Sequence, residues 1–157
     1  MIKDILIYPK NKEILTKKSE IVTEINNDIK TLIQDLVDTL DNTENGCGIS
    51  AVQIGELKQV CIIKPEVNKK IVMINPRIIK AEGVCLFTEG CLSAPGVKKQ
   101  VKRAKKVTVE YIDENGEKHK ATRGGLTAII IQHELDHFTG WCEVFDNVLR
   151  EERENDE

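Results

Sequence analysis

Several familiar features are missing from this 157-residue sequence. It has no basic excess: the formal net charge is -3 and the pI is near 5.7, so strong electrostatic binding to nucleic acid is not expected. It has no apolar run near the ~20 residues a membrane span requires. The opening stretch MIKDILIYPK lacks the apolar core and small-residue cleavage site of a secretory signal. Internal repeats and low-complexity segments are absent as well. Five cysteines, at 47, 61, 85, 91 and 142, are odd in number and follow no disulfide framework, so reduced thiols in a cytoplasm are the expectation. Histidines are scarce, only three.

What is present suits a single α+β domain. The apolar residues Ile25, Ile29, Leu32, Ile33, Leu36, Val37 and Leu40 mark one buried face of a helix over 23–42, with Thr23 or Asn26 as its cap. QVCIIK (59–64) and KIVMIN (70–75) are β-branched strands joined near Pro65–Lys69. KKVTVEYID (105–113) and EKHKATR (117–123) form a hairpin through ENG, with His119 at the surface. Cys61, inside VCII, is a small core residue. A second helix over 124–139 is apolar on more than one face, hence buried, and Gly140 stops it. The expected fold is antiparallel or mixed β-sheets packed around this helix. Residues 1–147 form one catalytic domain and 148–157 a charged tail, whose REERENDE stretch (150–157) is solvated or frayed.

Two of the three histidines lie in QHELDH (132–137). At i and i+4, His133 and His137 project from one helix face, as half of a metal site does. Glu134, about 100° around the helix, cannot easily bind the same ion but can reach a water there, as a general base and acid. A catalytic centre needs a third protein ligand and an open position. Cys91 in EGCLS and Cys47 in GCGIS, both in polar glycine-containing stretches, are candidates, as are carboxylates near turns. A Cys/His/His set accepts iron(II), zinc, nickel or cobalt.

Three stretches in order, GCGISAVQ (46–53), EGCLS (89–93) and QHELDHFTG (132–140), resemble the motifs of the peptide deformylases, and the flanking text is similar from about Ile5 to Asp146. The resemblance implies that Cys91, His133 and His137 hold one divalent metal, iron(II) in the cell, with water in the fourth position. It implies that Glu134 is the base and acid, and that Gln53 and the backbone N–H of Leu92 stabilise the oxyanion. Gly48 would let a substrate backbone approach, with Cys47, Ile49, Glu89, Leu126, Ile129 and Ile130 around the substrate. The implied partner is an N-formylmethionyl peptide, from which formate is released. Ribosome association, if transient, would not run through the acidic tail, which RNA phosphates repel.

Four positions depart from the family pattern: Cys47, Ser50, Ala94 and Lys98. Cys47, Ser50 and Ala94 leave open a related amidase for another small N-acyl substrate. The histidine pair by itself is also compatible with a non-catalytic metal domain, Cys47 being the closing ligand, and with a general HExxH protease that uses Glu143 or Asp146. Arg103 matches a family arginine, so the resemblance implies that it pairs with Asp136.

Overall fold

The structure, a computed structural model, describes residues 1–155. Helices α1 (Lys12–Leu15), α2 (Asn27–Asp41), α3 (Gly125–Phe138) and α4 (Phe145–Asn155) accompany seven strands. These are β1 (Gly48–Ser50), β2 (Val60–Glu66), β3 (Lys69–Glu82), β4 (Cys85–Cys91), β5 (Ala94–Arg103), β6 (Lys106–Ile112) and β7 (Lys118–Gly124). The first sheet has the order β1-β2-β3-β6-β7, and β4 and β5 form a second. Every strand pair in both sheets is antiparallel.

Alternation along β2 shows how the layers arise. Val60 and Ile62 face one way, onto the apolar stripe of α2 that includes Leu32, Leu36 and Leu40. Cys61 and Ile63 face the other way, onto Ala128, Ile130 and Ile131 of α3. One strand buried on both faces therefore separates two cores, and α3 lies between the large sheet and the β4–β5 hairpin. This matches the expected α+β arrangement around a central helix.

Element ends follow local chemistry. Asn26 caps α2, its Oδ1 accepting from the Ile29 N–H at 3.1 Å, so the helix starts later than residue 23. The 105–113 and 117–123 hairpin forms, its turn closed by Asp113 Oδ1, which accepts from the Asn115 and Glu117 N–H groups. His119 is at the surface, paired with Asp113 and stacked on Tyr111. Strand β3 runs well past residue 75. The pairing with β6 shifts register between Ile74 and Arg77, which accommodates Pro76 without a ladder N–H.

Residues 148–155 continue α4, with Phe145 fully buried and Val148 nearly so. What orders the helix is one apolar edge packed against Tyr8, Leu15 and Ala94. Residues 150–155 are exposed, as a charged stretch should be, and 156–157 lie outside the described residues. No helix among the described residues is long and apolar enough to cross a membrane.

Candidate metal centre and active site

Helix α3 presents His133 and His137 on one face, both buried. Strand β4 approaches that face with Glu89 and Cys91, two residues apart and so on one side of the strand. Cys91 Sγ lies 3.5 Å from Nε2 of His137. Glu89 Oε1 accepts from Nδ1–H of His133 at 2.7 Å. Donation from Nδ1 leaves the lone pair of Nε2 free to bind an ion, the tautomer that a ligating histidine needs.

Glu89 is itself held. Arg103 donates to both of its oxygens, at 2.7 and 2.8 Å, and to Asp136 at 2.6 Å. The anticipated Arg103–Asp136 pair is thus one arm of a larger buried network. Burial opposes ionisation of Glu89, but the bonds from Arg103 and His133 outweigh it and lower its pKa. Both carboxylate oxygens are engaged, so Glu89 is held against His133 while it lines the cleft.

Among the described residues, Cys91, His133, His137 and Cys142 bring their donor atoms within 4.8 Å of one another. Their chemistry, two thiols and two imidazoles in a buried setting, fits a divalent transition metal. The Cys/His/His set is therefore assembled, with a second thiol beside it. The sequence reading missed Cys142. Its signal was present: a cysteine five positions past His137, just beyond the helix-stopping Gly140. A hydrogen bond between the Cys91 and Cys142 thiols, with the His133 and His137 imidazoles beside it, holds the Cys142 pKa well below the ordinary thiol value, and the same contact, with burial, raises Cys91. Cys47 is not part of the group: it is exposed, so it cannot close the site as a fourth ligand. Glu143 and Asp146 instead pair with Lys99 at the surface, which removes the third ligand that a general HExxH protease would need.

Glu134 is buried, and its carboxylate is not among the four donors. Burial raises its pKa despite the nearby histidines. Strand β1 faces it: a Cβ on Gly48 would sit 2.7 Å from Oε2 of Glu134, so the glycine makes room for this carboxylate. The Ser50 hydroxyl donates to Glu134 Oε1 at 3.2 Å. A 3-10 turn (Ala51–Ile54) follows and carries Gln53. The Ser50 N–H holds Gln53 Oε1 at 2.9 Å, which turns Nε2 toward Ser93 Oγ at 3.1 Å and Cys91 Sγ at 3.7 Å. Ser50 therefore orients Gln53 through its backbone rather than displacing it.

These groups open onto a cleft of about 500 Å³. Cys47, Gly48, Gln53, Glu89, Cys91, Leu92, Leu126, Ile129, Ile130, His133 and Glu134 line it, as does Lys98. Leu92 occupies the turn between β4 and β5, immediately after Cys91. Two positions fall elsewhere. Ile49 points to the opposite side of β1 from the cleft, into the α2 core, because neighbouring strand residues face opposite ways. Ala94 packs with Tyr8 and Phe145 under α4.

A buried HExxH helix, a thiol from a neighbouring strand and a cleft over both define a metal-dependent hydrolase. The sequence profile of the polypeptide deformylases matches residues 2–154, so it also spans the division drawn at 147. The chain is 47% identical over 128 residues to peptide deformylase 2 of Clostridium acetobutylicum, covering 82% of this chain and 85% of that one. It superposes on a peptide deformylase crystal structure from Legionella pneumophila with a TM-score of 0.85 at 38% identity, over 90% of this chain and 83% of the other. A Met-Ala-Ser-bound class I type b peptide deformylase from Acinetobacter baumannii gives 0.83 at 32% identity, over 92% and 97%. The chain belongs to the peptide deformylase family.

Proposed function

We propose that the cleft removes the formyl group from the N-terminal formylmethionine of new peptides, with Cys91, His133 and His137 holding the metal, Glu134 moving the proton, and Gln53 with the Leu92 N–H stabilising the developing charge. The observation that carries this assignment is convergence. Glu134, Gln53, Cys91 and His133 line the same cleft, and His137 brings its donor beside those of Cys91 and His133.

When bound, a divalent ion lowers the pKa of water and polarises a carbonyl oxygen. The protein's residues do the rest. Glu134 accepts a proton from the attacking water, and its raised pKa brings it nearer the range useful to a base that must also act as an acid. Negative charge grows on the formyl oxygen. Gln53 Nε2 and the Leu92 N–H donate to it, one such donor contributing about 3 kcal/mol. As the C–N bond breaks, Glu134 returns the proton to the amide nitrogen, leaving formate and a free α-amino group.

The methionine side chain enters the apolar part of the cleft, against Leu126, Ile129 and Ile130. Gly48 lets the substrate backbone lie close to β1, and Cys47 and Lys98 stand at the rim. The bound Met-Ala-Ser of the Acinetobacter relative supports a peptide of this kind. Iron(II) is the metal in the cell, and the donor set also accepts zinc, nickel and cobalt. The activity resides in the cytoplasm. Any transient ribosome contact does not use the acidic end of α4; co-sedimentation lost on its truncation would refute this.

The test is formate release from formyl-Met-Ala-Ser by anaerobic, iron(II)-loaded protein, with Glu134→Gln alongside. Release that vanishes in a variant still holding metal supports the assignment. A folded, metal-loaded wild type that releases no formate would overturn it.

A further inference from the structure

The centre holds one more ligand than this mechanism uses. Gly140, at φ 92°, reverses the chain after α3, and a Cβ there would lie 2.5 Å from the Thr16 carbonyl oxygen, so only glycine closes the turn. Trp141 then packs edge-on against Tyr8 and Phe145, with centroids 5.7 and 5.5 Å away, while Tyr8 stacks on Phe145 at 4.2 Å. The chain's one tryptophan thus pins the residue after it. Cys142 is fully buried, with Sγ 3.8 Å from Nε2 of His133.

The spacing has a simple reference. For a tetrahedral ion with bonds of about 2.3 Å to sulfur and about 2.0–2.1 Å to nitrogen, sulfur–nitrogen edges are roughly 3.6 Å and the sulfur–sulfur edge roughly 3.8 Å. The two contacts, Cys91 to His137 at 3.5 Å and Cys142 to His133 at 3.8 Å, have that size. All four donors fall inside 4.8 Å, and neither cysteine is in a disulfide. Cys91 and His133 reach the cleft wall, whereas Cys142 lies outside it.

We propose that Cys142 is a fourth, displaceable protein ligand: the centre rests as a closed Cys91/His133/His137/Cys142 set and becomes free to take an oxygen ligand from the cleft when the Cys142 sulfur gives up its place in the coordination shell. The proposal rests on the assignment of Cys91, His133 and His137 as ligands. Four protein ligands are the arrangement of structural sites, whereas hydrolysis needs an open position, so the thiol must leave during turnover. At rest it shields the ion from water and oxidant.

X-ray absorption on the cobalt(II)-loaded protein, prepared anaerobically, counts sulfur neighbours directly. The expected count is two in the wild type and one in Cys142→Ala, whose hold on cobalt in chelator competition weakens at least tenfold. Acetohydroxamate, which binds a metal through two oxygens, should lower the wild-type count to one. A wild-type count of one overturns the fourth ligand, and this reading needs no variant to fold. A count of two that persists with hydroxamate bound overturns its displacement. Cys91→Ala separates the two assignments: if it keeps its metal while Cys142→Ala loses it, the Cys91 assignment fails and that of Cys142 stands. A wild type that binds no cobalt overturns both.

Discussion

The single proton of the Ser50 hydroxyl is shared between the backbone carbonyl of Glu134, at 2.9 Å, and the carboxylate of the same residue, at 3.2 Å. One side chain thus ties β1 to α3 and favours the ionised form of the proposed base. Ser50→Ala removes a donor to the carboxylate, so the pKa of Glu134 rises further. The acid limb of kcat/KM should then move to higher pH, with activity lost first at the low end. A pH profile identical to wild type would show that the hydroxyl serves packing alone.

Glu134→Gln should cut formate release by about 10²–10⁴-fold, the usual contribution of a positioned proton carrier. Metal content should not change, because Glu134 is not among the converging donors. The same substitution should stabilise the metal-free protein at neutral pH. Burial raises the folded-state pKa of Glu134, so the folded state binds more protons than the unfolded one. Stability from this group is present below the unfolded pKa and lost as pH rises through the folded one. Gln carries no charge to bury. Melting of both apo proteins at pH 7 is the check, and a lower Tm for the variant would contradict it.

Gln53→Ala should lower kcat by about 10²–10³-fold with little change in metal content. Ser93 would lose its hydrogen bond from the amide, so a small fall in Tm is also expected. If KM alone rises, the amide binds the ground state and the oxyanion role is wrong.

Arg103 decides whether three carboxylate contacts in the interior are satisfied. Arg103→Leu leaves the buried carboxylate of Glu89 without its two charged bonds, a loss on the order of 3–5 kcal/mol. Asp136, more exposed, adds little. Glu89→Gln leaves the buried Arg103 cation with Asp136 as its one carboxylate, so it should also lower Tm, and it should hold metal about 10–100-fold less tightly, because His133 loses the carboxylate that orients it. Chelator competition and thermal melting separate the two effects.

Periodicity made α2, α3 and the β6–β7 hairpin legible, because each carries one repeating pattern. The β4–β5 hairpin was not, although EGCLS was. Its residues alternate weakly, Leu86 and Phe87 being exposed, and Glu89, opposite Lys99 in the ladder, bonds Arg103 four positions further along β5, a contact that local sequence does not display. Cys91, His133, His137, Glu134 and Gln53 came together as their motifs implied. Cys142 escaped notice because it belongs to none of the three motifs and reaches the centre only through the turn at Gly140. The Ile49 side chain turns from the cleft into the core for a related reason: a motif fixes neighbours in sequence, while a strand sends them to opposite faces.

The end of the chain offers a contrast within one helix. Phe145 is fully buried, stacked on Tyr8 at 4.2 Å and close to His137 at 6.1 Å. Phe145→Ala should cost about 3–5 kcal/mol and loosen the turn that carries Cys142, so metal affinity falls with Tm. Removing residues 150–157 takes away only exposed positions among those described. Its effect on stability should stay within about 0.5 kcal/mol, and formate release should not change. Melting curves and the formate assay on both variants test this. A truncation as damaging as Phe145→Ala would mean that the last two turns of α4 bear on the metal centre, through the Tyr8–Trp141–Phe145 cluster that supports it.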